Sequence, residues 1–156
     1  MNASLPPERR LWFLDTLVLI RLSYEDGSDN LSVLEHWSPF GLSPPLHIHS
    51  TEDEVFHILD GELRFRVDDQ ERRAGAGEIL LAPRGVPHTY RVESPSARWL
   101  TVTGRRDFER FVRSFAHPAA HDGLPEPSGP LSPEQVRALE DACRRHNIQI
   151  VGPPLQ

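Results

Sequence analysis

Lysine is missing from this 156-residue chain: all seventeen Lys/Arg positions are arginine, set against twenty-three acidic side chains. The arginines are scattered and build no continuous basic strip. With a formal charge of −6, nucleic acid and anionic membrane are poor partners. Cysteine is nearly missing too. The lone Cys143 excludes an intrachain disulfide and fits a reducing compartment. It lies in an amphipathic stretch, where a thiol reads as buried packing rather than a nucleophile. Long apolar runs are also lacking. The longest, LWFLDTLVLIRL at 11–22, is interrupted by Asp15 and Arg21, and a membrane span takes ~20 apolar residues. It has no small-residue cleavage site of a signal peptide. The expectation is a cytoplasmic globular protein with no membrane and no nucleic-acid partner.

Turn-formers, by contrast, are plentiful: fifteen prolines and ten glycines. They argue for many short elements rather than a few long helices. Residues 1–10 are polar and expected to be loose. From Leu11 to about Thr103, short β-rich runs alternate with turn signals: TLVLIRLS, LSVLEHW, EVFHILDG, ELRFRV, EILLAP, HTYRV and ARWLTVTG. In ELRFRV, Leu63, Phe65 and Val67 alternate with Arg64 and Arg66, the pattern of a half-buried strand. DDQERRAGAG reads as a turn. Strands without intervening helices predict an all-β sandwich or barrel over 11–104. Residues 105–156 then form a helical extension packed on it within one domain. RDFERFVRSF places Phe108, Phe111, Val112 and Phe115 on one helical stripe. That helix either packs on the outside of the barrel or lids its mouth. The segment 117–130 is a Pro/Gly-rich linker. A second helix starts at Ser132, with Pro133 in the first turn and Gln135 completing a capping box. Val136, Leu139 and Cys143 form its buried stripe, and NIQIVGPP trails off after it.

Chemistry concentrates in PPLHIHSTEDEVFHILDG at 44–61. Strand alternation sends His47 and His49 to one face. Beyond Glu54, the next strand sends Phe56 and Ile58 to that interior face and turns Val55, His57 and Leu59 outward. His47, His49 and Glu54 can therefore converge. Downstream, glycines and prolines bracket EILLA and place His88 at the start of another strand, where a fourth ligand can enter. Three imidazoles and a carboxylate suit one divalent first-row ion (Fe, Ni, Co, Mn or Zn) better than Ca or Mg.

The spacing Gly41, His47, His49, Glu54, Gly61, followed by Gly77, Pro83, Gly85, His88, resembles the two consensus motifs of the cupin superfamily. The match fails only four positions after His88, where Val92 stands in place of a frequent Asn. The resemblance covers roughly 11–103. More loosely, LWFLDTLVLI and NIQIVGPP look like the small single-domain quercetin-dioxygenase-like proteins. It implies an antiparallel jelly roll, or double-stranded β-helix, with two short C-terminal helices. It also implies a metal held by His47, His49, Glu54 and His88 on an inner wall, and pairing as a homodimer. The motif spacing selects Glu54 over Glu52 and Asp53, which read as solvated turn residues. His57 falls on the outer face. Counting in this register turns Leu34 and His36 inward, with Trp37 in place of His36 if the register slips by one. Tyr90, two residues after His88, packs in the core or lines the pocket. With Phe56, Ile58, Leu100 and Val102, these residues make the expected substrate-binding wall.

Such a wall suits a flat, mostly hydrophobic small molecule bearing an oxygen that binds the metal. The first expectation is a dioxygenase acting on an enol, diketone or flavonol-like substrate, with Glu54 as catalytic base. Two alternatives stand beside it. One is a metal-dependent isomerase, cyclase or lyase that needs no oxygen, and the other is a non-catalytic small-molecule binder.

Overall fold

The computed structural model describes residues 5–156. A single 3₁₀ turn at Pro7–Arg9 leads into twelve strands and two helices among the described residues. The strands are β1 (Arg10–Phe13), β2 (Thr16–Leu22), β3 (Ser32–Pro39), β4 (Leu46–His49), β5 (Glu54–Asp60) and β6 (Glu62–Val67). They continue as β7 (Gln70–Gly75), β8 (Ile79–Ala82), β9 (His88–Val92) and β10 (Ser96–Thr103). The chain then forms α1 (Asp107–Phe115), β11 (His117–Pro118), α2 (Pro133–Arg145) and β12 (Ile148–Gly152). Of the residues expected to be loose, 1–4 lie outside the described residues, and Arg10 already belongs to β1.

Two antiparallel sheets face each other as a jelly roll. The larger has the order β11-β1-β2-β3-β10-β5-β8, and the smaller β12-β4-β9-β6-β7. One core lies between them, with Phe56, Ile58 and Trp99 from the larger sheet meeting Leu63, Phe65 and Val92 from the smaller. Burying side chains of this size stabilises by ~1.5–3 kcal/mol each. A second core joins Leu11, Val18, Ile20 and Leu34 to Phe111 and Val112 of α1, Cys143 of α2 and Ile148 of β12. The β5–β6 turn depends on Gly61, at φ +79°: a Cβ there would lie 2.9 Å from Ala97 Cα.

The C-terminal segment departs from expectation. It is not only helical, since β11 pairs with β1 and β12 pairs with β4, the strand that carries His47 and His49. The alternating Ile148 and Ile150 supply the half-buried pattern of a strand, too short to stand out in the sequence. DDQERRAGAG likewise holds β7, an edge strand whose Glu71, Arg72 and Arg73 face water, the charge pattern that protects an unpaired edge. The linker lies against the body: Trp12 Nε1 donates to Gly123 O, and Ser128 donates to Asp15 through both its backbone N–H and its hydroxyl. Helix α2 has the full capping box at Ser132 and Gln135. Helix α1 is tied down by its buried Glu109, which accepts from Ser23 Oγ, Ser32 Oγ, Tyr24 N and Arg113 Nε at 2.6–3.0 Å.

Candidate functional site

His47, His49 and His88 stand on the smaller sheet and Glu54 on the larger, so the cluster spans the gap between the two layers. His47 and His88 are directly opposed in the β4–β9 pair, with ring centroids 4.5 Å apart. His49 lies 5.2 Å from His47 and 5.3 Å from His88. Glu54 starts β5, where it pairs with Thr103 and Ala82. One donor atom from each of the four falls within 4.8 Å of the others. That is close to the ~4.2 Å spanned by opposed ligands that each lie ~2.1 Å from an ion. Glu54 Oε2 sits 2.9 Å from His88 Nε2 and 3.3 Å from His49 Nε2.

The imidazoles are aimed by what holds their Nδ1 atoms. His47 Nδ1 lies 2.7 Å from Pro45 O, and His88 Nδ1 lies 3.0 Å from Val86 O. Each carbonyl favours a proton on Nδ1 and leaves the Nε2 lone pair free to bind a metal. His49 is different. Both its ring nitrogens are buried without a hydrogen bond, and Glu52 Oε1 stands 3.8 Å from Nδ1. Glu52 corrects the expectation that it is solvated: it is only 3% exposed. Its Oε1 accepts the Phe108 N–H at 2.7 Å, capping α1, whose own N-cap residue Arg106 offers no side-chain bond. The ST-E-D turn looked exposed because it is rich in charge. Alternation alone could have flagged Glu52, two residues before the inward Glu54, whereas Asp53 is exposed as expected and accepts from Arg84 N.

Charge in the cluster is strongly coupled. Burial alone would raise the Glu54 carboxyl, but His49 first, then His88 and His47, pull it down to about 2. Burial and the neighbouring imidazoles push His47 down to about 3. For His49, burial is outweighed by Glu54, Glu52 and Asp107, so its imidazole is held above the ordinary range. A carboxylate and three imidazoles whose nitrogens converge, those of His49 without a hydrogen-bond partner, match the donor chemistry of a first-row transition metal. These four residues could hold such an ion.

The cluster opens onto a cavity of about 390 Å³. Its wall is mainly apolar, with Phe13, Phe108, Phe111, Val112 and Leu139 among its residues, and Tyr90, His36 and Thr101 adding polar atoms. Both helices reach it, α1 with Phe108, Phe111 and Val112 and α2 with Val136, Leu139 and Cys143. Burial raises the Cys143 thiol to about 11, consistent with packing. Among the expected wall residues, His36 and Tyr90 line this cavity. His36, not Trp37, is the inward residue of β3. Leu34, Phe56 and Ile58 face inward but belong to the two cores rather than the cavity wall.

Leu100 and Val102 are placed differently from expectation. In the β10–β3 ladder, Trp99 opposes His36 and Thr101 opposes Leu34, so Trp99 and Thr101 face inward. Leu100 opposes Glu35 and His57, and Val102 opposes Val33 and Val55, all on the outer face. The sequence WLTV is apolar at both parities, so alternation did not decide which half is buried. The larger, Trp99, is fully buried. His57 lies on the outer face as expected.

Residues 33–103 match the family model described as the cupin domain. Quercetin 2,3-dioxygenase from Bacillus subtilis is 28% identical over 92 residues, covering 59% of this chain and 26% of that protein. A dimethylsulfoniopropionate lyase from Ruegeria pomeroyi is 36% identical over 83 residues, covering 51% of this chain and 41% of that protein. The chain thus spans less than half the length of these curated relatives. KdgF from Halomonas sp. superposes with a TM-score of 0.55 at 18% identity, over 61% of this chain and 84% of that one. That likeness concerns the fold.

Proposed function

The chain belongs to the cupin superfamily, and from that premise we propose that it is a metal-dependent enzyme of the dioxygenase kind. Its substrate is a small hydrophobic enol, diketone or flavonol-like molecule, and O₂ is consumed. The observation that carries this reading is a four-donor cluster opening onto an apolar cavity. His47, His49, Glu54 and His88 would hold one divalent ion of the Fe, Ni, Co, Mn or Zn group. When bound, the ion supplies Lewis acidity, lowering the pKa of a substrate hydroxyl that reaches it. Glu54 is ionised at neutral pH, the state required of a group that accepts that proton. Phe13, Phe108 and Phe111 hold a flat apolar body and exclude water. The quercetin dioxygenase relative favours this chemistry.

A second reading keeps the metal and discards oxygen: an isomerase, cyclase or lyase, with His36 or Tyr90 moving a proton. The lyase relative favours it. Anaerobic addition of a substrate enol to metal-loaded protein separates the two. The first reading expects a changed metal spectrum with no turnover until oxygen is admitted. Equal turnover without oxygen, or full activity with Zn, refutes it in favour of the second. A compound bound tightly yet unchanged under both conditions assigns the site to a non-catalytic binder. Glu54→Gln should impair turnover more than metal loading, and equal loss of both reduces Glu54 to a ligand.

The reading extends to assembly. The outer face of the larger sheet carries Val33, Val55, Leu100 and Val102, and its edge strand β8 exposes Ile79 and Leu81 to 60% and 51%. An unpaired apolar edge of this kind favours a homodimer formed through it. Residues 105–156, which complete both sheets, belong to the same domain as the barrel.

A further inference from the structure

Two side chains of the cavity wall outside the four-residue cluster carry buried polar atoms with no partner: His36 Nε2 and Thr101 Oγ1. His36 is 5% exposed and Thr101 1%. Leaving one buried polar group unpaired costs ~1–3 kcal/mol, so a fold that leaves two on one wall bears a cost that a ligand can remove. The pair is diagonal across the β3–β10 ladder, because His36 opposes Trp99 and Thr101 opposes Leu34. Diagonal side chains on one face stand ~7–8 Å apart at the backbone, a separation that one oxygen between their tips can bridge.

The imidazole is held in place. It stacks on Trp99 at 5.2 Å with 5° between the ring planes, and on Phe108 at 6.0 Å. Phe108 also packs against His49 at 5.6 Å, so one ring separates His36 from the cluster. The wall there is apolar on either side of the pair, and no lysine or arginine lines the cavity. A carboxylate or phosphate beside this pair would therefore find no lysine or arginine to pair with. A neutral imidazole and a hydroxyl can each donate or accept, which matches a neutral hydroxyl or carbonyl oxygen.

We propose that His36 and Thr101 form a second polar subsite, which binds a hydroxyl or carbonyl oxygen of the substrate separate from the oxygen taken by the metal cluster. The substrate is then a flat apolar molecule with two oxygen functions set apart across its body. This rests on the reading of the cluster as a metal centre that binds a phenol or enol. It goes further in naming what the distant end of the molecule carries.

The test uses cobalt-loaded full-length protein, naphthol, and a set of naphthalenediols whose second hydroxyl lies at different distances from the first. Affinity is read by calorimetry and contact with the metal by the cobalt spectrum. One or more diols should bind about tenfold tighter than naphthol, the value of roughly one net hydrogen bond to a buried site. His36→Phe, which keeps an aromatic ring on Trp99, and Thr101→Val should each remove that advantage. Both should weaken the diols more than naphthol and leave cobalt content unchanged, and Thr101→Ser, which keeps the hydroxyl, should retain the advantage. If naphthol perturbs the cobalt spectrum but no diol outbinds it, the subsite is refuted and the metal reading stands. Variants that weaken naphthol and diol equally also refute the subsite, leaving His36 and Thr101 as packing. If no compound perturbs the spectrum, the phenol-binding reading falls and the subsite with it.

Discussion

Burial holds the His36 imidazole down to about 4, against an ordinary 6.5, with Glu54 and Glu35 offsetting only part of the effect. The unfolded chain gains a proton on this residue as the pH falls through 6.5, whereas the native state refuses one until about 4. Between those values the unfolded state binds more protons, so native stability falls as the pH falls. The contribution is intact above the unfolded value and fully lost below the folded one. Each tenfold step in protonation is worth ~1.4 kcal/mol, which puts the whole loss at about 3 kcal/mol. His36→Phe removes the titration while preserving the stack on Trp99. The stability difference between variant and wild type should therefore shift toward the variant by about 2.5 kcal/mol between roughly pH 7.5 and pH 4.5. Urea unfolding in excess chelator, at both pH values, measures it. His47 and His49 titrate in both proteins and cancel in the comparison. A stability gap that stays constant between the two pH values would refute the reasoning, because it would mean that His36 is solvated or already charged in the native fold.

Three further outcomes follow from named contacts. Glu52→Gln withdraws the carboxylate charge that lies 3.8 Å from His49 Nδ1, so chelator competition should find metal affinity lowered by ~10–100-fold, and unchanged affinity would show that the carboxylate does not orient the ring. Glu109→Leu strands Ser23, Ser32 and the Tyr24 N–H, and should cost about 3 kcal/mol in denaturant unfolding; a loss below ~1 kcal/mol would mean that the network contributes little to the docking of α1. Ile79→Arg with Leu81→Arg should convert a dimer to monomers in sedimentation, without altering metal content. Unchanged association in that pair would exclude the β8 edge as the interface.

The strands that announce themselves by alternation, such as Leu63, Phe65 and Val67 in β6, were legible in the sequence, as was the capping box of α2. His47, His49, Glu54 and His88 were legible as a group because their spacing is unusual for any other reason, and the fold brings them together. Less legible were features decided by tertiary contact. β12 is a strand because β4 offers an edge to Ile148 and Ile150, which local sequence does not reveal. β7 was hidden because an edge strand bearing Glu71, Arg72 and Arg73 has the composition of a turn. In β10 both parities are apolar, so only the packing of Trp99 decides which face is inside, and Leu100 and Val102 fall outside. Glu52 was masked by its acidic neighbours, although its parity matches that of Glu54. The polar wall atoms of Thr101 and His36 could be placed only once that register was fixed.

The central claim, that His47, His49, Glu54 and His88 hold a metal on which the chemistry depends, is tested most directly by elemental analysis of natively expressed protein beside its His49→Ala/His88→Ala variant. One transition-metal ion per folded wild-type chain, and none in the equally folded variant, is the predicted result. Wild type that carries no such ion, or a variant that retains as much as wild type, would contradict it.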